Sequence, residues 1–269
     1  MPFSRSRLAA TSRRSLVERP LTGDKTLGAP GRAIGLKIDF RNRPGTIEWS
    51  GALASAFHSP NAQFLRIDGL AESRQAWNEG VLVSGRGEWH PLGAMVRDQG
   101  VFEPQDLRVA IGAAAYWWVN DGDRNLYTVD HVSTSAENVD LDRSFGLGVS
   151  GGLRANRVSV DAEFHRVTGD SIDSLFTGGL FDAGHTRLFK YAVECGYMIV
   201  PARVEVVGAF DLLDVSAREA FAKRPAFGLN YYVVLHRLKF QVMHRETFDV
   251  LGASGERAHS TFVQAQFVY

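Results

Sequence analysis

A chain of 269 residues with 30 basic and 30 acidic side chains carries no formal net charge, so its overall balance selects neither nucleic acid nor any other partner. Its single cysteine excludes an internal disulfide, and its eight histidines are scattered without metal-ligand spacing. No run approaches the roughly 18 apolar residues of a transmembrane helix, so any membrane reading must rest on strands.

Residues 1–31 read as a basic loop segment: Arg5, Arg7, Arg13, Arg14, Arg19 and Lys25 stand against Glu18 and Asp24. Met1 to Arg19 lacks the apolar stretch of a secretory signal. From 32 to 269 the chain alternates with period two, the signature of strands with two unlike faces. Ile34, Leu36, Ile38 and Phe40 oppose Gly35, Lys37 and Asp39, and two further strands are expected at about 46–57 and 80–90. Leu107, Val109, Ile111, Ala113 and Trp117 oppose Arg108, Gly112 and Tyr116, and Phe145, Leu147, Val149 and Leu153 oppose a glycine-rich face that includes Arg154. Val158, Val160, Ala162 and Phe164 oppose Ser159, Asp161, Glu163 and His165. Phe189, Tyr191, Val193, Cys195 and Tyr197 oppose Lys190, Glu194 and Gly196. Val204, Val206, Gly208 and Phe210 oppose Arg203, Glu205, Ala209 and Asp211, and Phe227, Leu229, Tyr231 and Val233 oppose Gly228, Asn230 and Tyr232. Leu238, Phe240 and Val242 oppose Lys239, Gln241, Met243 and Arg245, and in the last strand Val263, Ala265, Phe267 and Tyr269 alternate with Gln264 and Gln266. The total is roughly eleven strands of about 9–13 residues, the length a tilted strand needs to cross a bilayer.

The connections alternate too. Reading back from Tyr269 they are long (249–256), tight (235–237), long (212–224), tight (200–202), long (169–186), tight (154–157) and long (119–140). Short turns on one rim and long loops on the other mark outer-membrane barrels, and Pro91 to Gln105 is the one connection too long for its rim. Trp49, Trp89 and Tyr269 then fall at the short-turn ends of strands, with Phe57, Trp117, Phe145 and Phe227 near the other ends, as interfacial girdles require.

The face opposite the apolar one carries so many charges that it cannot meet a dry core unpaired. Lys37, Arg86, Glu88, Arg108, Glu163, Lys190, Glu194, Lys239 and Arg245 are therefore expected to line a water-filled pore. If residues 1–31 fold into it, Arg5, Arg7, Arg13 and Arg14 form a positive constriction; a solvated chain end is the bland alternative. Asn120-Asp121-Gly122-Asp123 with Asp130 lacks the glutamate of a calcium loop, and Cys195 sits on the apolar face, so no metal, cofactor or catalytic residue is expected.

Three stretches carry a resemblance. Gly228-Leu229-Asn230-Tyr231-Tyr232, then Leu238-Lys239-Phe240-Gln241, then Gln264-Ala265-Gln266-Phe267-Val268-Tyr269 resemble the last strands of phosphate-selective porins of the O and P type. Gly87-Glu88-Trp89-His90-Pro91-Leu92-Gly93 resembles that family's Trp-x-Pro-Leu-Gly strand end, and Pro2-Phe3-Ser4-Arg5 through Val17-Glu18-Arg19 its Pro-Phe segment before a barrel strand. The resemblance implies an all-β antiparallel transmembrane barrel in the bacterial outer membrane. It also implies a trimer of about sixteen strands per chain, with the N-terminal strands and signal missing here. The implied function is a channel without catalysis for small ions and solutes, including phosphate-like anions. Phosphate selectivity itself does not carry over, because basic and acidic groups on the polar face are about equal in number. The implied partners are outer-membrane lipid and the barrel-assembly machinery, which would read Phe267 and Tyr269. A surface-binding or structural barrel is the alternative, and a barrel enzyme a further one.

Overall fold

The computed structural model describes residues 2–9, 11–23, 27, 34–55, 80–120, 128–129, 132–133, 141–177 and 180–268. Lys25, Phe57, Asp121, Asp123, Asp130 and Tyr269 lie outside the described residues, as does the side chain of Arg7.

Eleven strands form one antiparallel meander, each paired with the next along the chain. They are β1 (Ile34–Arg41), β2 (Ile47–Ser55), β3 (Gly80–Trp89), β4 (Arg108–Asn120), β5 (Leu141–Ala155) and β6 (Val158–Ser171). After them come β7 (His185–Val200), β8 (Val204–Val215), β9 (Ala222–Val234), β10 (Leu238–Phe248) and β11 (Arg257–Phe267). The strand order ends at β1 on one side and at β11 on the other.

The alternation in the sequence becomes two faces of opposite character. In β3, Val81, Val83 and Trp89 are exposed while Ser84, Arg86 and Glu88 are buried, and in β7 Tyr191 and Tyr197 are exposed while Lys190 and Glu194 are buried. Among the described residues the sheet thus turns large apolar side chains outward and charged ones inward, the reverse of a soluble domain.

The expected turns at 154–157, 200–202 and 235–237 all lie on one rim, here called the short-turn rim, together with residues 42–46. Arg203 N–H bonds to Val200 C=O at 3.0 Å across Pro201 and Ala202, and Arg237 N–H to Val234 C=O at 2.8 Å. Asn156, Ala202 and Leu235 take the left-handed conformation these turns need, with φ of 52°, 57° and 43°.

Several strands run further than their alternation does. β6 continues to Ser171 and β7 starts at His185 because the pattern inverts at the long-loop end: Val167 and Leu188 turn inward while Arg166, Thr168, His185 and Arg187 turn outward, so the apolar-outside alternation stops before the strands do. Leu82, Tyr116, Trp118, Val167, Leu188 and Leu213 form that inner patch, packed by Phe3, Leu21 and Leu27 from the N-terminal segment and by Leu180 and Phe181 from the β6–β7 connection.

Candidate functional site: the covered inner wall

The cross-strand register lines Glu48, Glu88, Gly112, Ser150, Glu163, Ala192, Asp211 and Arg224 into one row across the inner face. Asp161 faces Glu194 one row nearer the short-turn rim, and Arg86, His165 and Lys190 lie one row further from it. The middle of the wall is therefore an acidic band with cations beside it.

Residues 2–9 and 11–23 lie on this band. Arg5, in the short helix α1 (Arg5–Leu8), reaches Glu88 at 2.5 Å and Asp161 at 3.1 Å. Arg14, fully buried, reaches Glu194 at 2.9 Å. Ser4 Oγ donates to Glu163 at 2.9 Å, the Ser6 N–H also donates to Glu163, and Arg245 pairs with Glu18. Burial works against the Arg5 charge, but Asp161 and Glu88 outweigh it and hold its pKa above the ordinary arginine value.

The wall also grips the segment by its main chain. Arg86 donates to Phe3 C=O, Gln266 to Ser12 C=O, Lys239 to Arg14 C=O and Lys190 to Leu27 C=O. Asn230 and Gln241 both donate to Ser15 C=O, and Arg224 donates to Arg19 C=O. A segment with little regular structure leaves its carbonyls unpaired, and these donors satisfy them where water is displaced.

The connection from Pro91 to Leu107, too long for its rim, has the same destination. It folds across the inner face: Asp98 C=O accepts two bonds from Arg154, and Gln99 donates to Glu194 at 2.7 Å and accepts from Ser15 N–H at 2.8 Å. Phe102 packs edge-on against Tyr232 and His236.

Of the nine residues expected to line a pore, Arg86, Glu88, Glu163, Lys190, Glu194 and Lys239 are buried beneath the segment and this connection. Lys37 is exposed and pairs with Asp39 at 2.7 Å, Arg108 bonds to Leu92 C=O, and Arg245 lies partly covered under Glu18. Six of the expected water contacts are thus contacts with the chain itself: the carboxylates meet donors of the covering chain, and Arg86, Lys190 and Lys239 meet its main-chain carbonyls. Arginines from the segment meet wall carboxylates, so the desolvation of both is compensated. Of the constriction candidates, Arg5 and Arg14 are buried in ion pairs, whereas Arg13 is 57% exposed and meets Asp98 at 2.5 Å. Phe267 is exposed on the outer side of the edge strand β11.

The residues that sequence reasoning missed are those of the inner connection, Arg97, Asp98, Gln99 and Phe102, and the polar hooks Asn230, Gln241 and Gln266. The anomalous length of the 91–105 connection was the available signal.

His236, in the β9–β10 turn, gives this arrangement a pH dependence. Its Nε2 bonds to Gln99 C=O at 2.8 Å, and burial, helped by the nearby Lys239 charge, lowers its pKa from 6.5 to about 4. The unfolded chain then takes the proton first, so stability present at neutral pH is lost as pH falls from about 6.5 to about 4 and no further below it. The unfolding free energy of the protein in detergent, read by denaturant titration, should drop by roughly 1–3 kcal/mol between pH 7.5 and 4.5 through this group. His236→Gln keeps the donor and should flatten that component; an unchanged slope would discount the histidine.

No protein-family model, no curated protein and no solved structure matches this chain. What fold and site define is an all-β protein with one eleven-strand antiparallel meander whose charged face is covered by its own N-terminal segment.

Proposed function

We propose that this sheet is the wall of a bacterial outer-membrane β-barrel and that the protein is a porin, a passive channel for small ions and solutes with a preference for anions. The observation that carries this reading is the inverted amphipathicity: Leu53, Val83, Trp89, Ile111, Trp117, Phe145, Val149, Tyr197, Phe227 and Phe240 are exposed on a face that only lipid would shield. Strands of 8–16 residues with tight turns on one rim support it. In this reading the short-turn rim is periplasmic and the wall continues from β1 round to β11. Ions then pass between that further wall and the segment. The segment contributes Arg5, Arg7, Arg13, Arg14 and Arg19 against Glu18, an excess of 5 − 1 = 4 positive charges, to an otherwise mixed wall. The barrel assembles as a homotrimer of the phosphate-selective porin type, and its assembly machinery reads Phe267 and Tyr269.

The covered inner face favours a second reading, a structural or surface-binding barrel that does not conduct. Planar-bilayer recording separates the two. The porin reading expects discrete conductance steps and a reversal potential of anion-selective sign under a salt gradient. That potential should fade as salt rises and the Debye length shrinks from about 30 Å at 0.01 M to about 3 Å at 1 M. Folded, inserted protein that gives no steps would leave the structural barrel.

A further inference from the structure

The outer face is not uniformly ridged. One cross-strand row near the short-turn rim runs Trp49, Gly87, Ala113, Val149, Phe164, Tyr191, and the next row nearer the rim sets Gly151 beside Ala162. The small residues at the centre leave an open groove of about 850 Å³ between Trp49 and Trp89 on one side and Phe164 and Tyr191 on the other, within the size range of about 300–1,000 Å³ usual for ligand sites. A Cβ placed on Gly87 would meet nothing within 4 Å, so the hollow is not filled by the protein's own side chains.

Immediately beside it the rim is basic. Each tight turn on that rim carries one exposed or part-exposed arginine: Arg43 between β1 and β2, Arg157 between β5 and β6, Arg203 between β7 and β8, Arg237 between β9 and β10. None of the four pairs with a carboxylate among the described residues; Arg203 bonds to Val233 C=O. Among the described residues, the exposed acids in the connections at this rim are Glu103 and Asp106, both between β3 and β4. Gly87 lies two residues from the end of β3, about 7 Å at strand rise, so the groove opens close to the short-turn rim.

We propose that this groove and rim form a binding site for an anionic phospholipid of the facing leaflet, with an acyl chain along the Gly87–Ala113–Gly151 floor and the anionic headgroup drawn by the positive charge of Arg43 and Arg157, which flank the groove at the rim. The proposal rests on the membrane reading above. It commits to lipid because the two halves of the site match the two halves of such a molecule: an apolar channel with aromatic walls, and unpaired guanidiniums at its mouth, which fit phosphate oxygens by charge and fork geometry.

The test uses the full chain carrying Trp77→Phe and Trp117→Phe, which leaves Trp49 and Trp89 beside the groove and Trp118 buried on the inner face. It is reconstituted in phosphatidylcholine vesicles containing a small fraction of chain-brominated phosphatidylglycerol or, in parallel, chain-brominated phosphatidylcholine, and tryptophan quenching is read. The brominated phosphatidylglycerol should quench about three to ten times more effectively per mole. Arg43→Gln with Arg157→Gln should bring the two lipids to parity, and Gly87→Leu, whose Cβ meets nothing within 4 Å, should weaken quenching by both. Strong but equal quenching by both lipids, or a preference untouched by the arginine substitutions, would overturn the lipid site while leaving the membrane reading standing. Quenching by neither lipid would mean that the protein does not enter the bilayer, and both would fall.

Discussion

Deletion of residues 2–23 is expected to raise single-channel conductance severalfold and to abolish the preference for anions. The segment occupies the inner face across the row from Glu88 to Asp211, so its removal opens that cross-section to water. It also removes five arginines and one glutamate, leaving the wall cations Arg86, Arg154, Lys190 and Lys239 nearly balanced by Glu88, Asp161, Glu163, Glu194 and Glu205. A mixed wall sets only a weak ion preference. Arg13→Gln is the gentler companion: this side chain is largely exposed and makes its one ion pair with Asp98, so the fold should hold while the reversal potential moves part of the way. Bilayer recordings of parent, deletion and point variant decide it. A deletion that conducts like the parent, with the same ion preference, would show that the segment stands outside the conduction path.

Glu88→Ala is expected to cost about 3–5 kcal/mol of folding stability, the usual penalty for leaving buried charge without its partner. Glu88 meets Arg5 at 2.5 Å, Arg86 at 2.8 Å and His90 at 2.9 Å, with Arg97 at 3.6 Å, and its side chain is almost fully buried. Truncation leaves two buried guanidiniums side by side, both drawn toward a carboxylate that is gone. Adding Arg5→Met should recover part of the loss, giving a total well below the sum of the two single effects, because the pair shares one interaction. Denaturant titration of the folded protein in detergent reads this directly. A loss under about 1 kcal/mol, or strict additivity, would mean that water reaches the site and screens it. Gly87→Leu, one residue away but on the outer face, should leave stability almost unchanged.

Much of the fold was legible along the chain. Period two survives wherever a strand keeps an apolar outer face and a polar inner one, so residues such as Phe240 and Val242 against Lys239 and Gln241 announce both the strand and its orientation. The tight turns at Asn156, Ala202 and Leu235 were equally readable, since two rims of unlike loop length follow from the spacing alone. The strand ends were not, because Trp117 and Trp118 are both large and apolar although one faces outward and the other into the inner patch. Composition also marked residues 1–31 as basic, but charge alone cannot say whether a segment is solvated or docked.

By itself, then, the sequence determined the strands, their pairing order and which face is charged, because these are local consequences of alternation and turn length. Only the tertiary structure decided what the charged face touches. Arg5 meets Glu88 across 83 residues and Arg14 meets Glu194 across 180, and Gln99 reaches the same band from a connection between two strands. Such contacts depend on which inward rows the register brings level and on the desolvation that drives buried charges onto counter-charges or main-chain carbonyls, and neither is written in the spacing of neighbours along the chain.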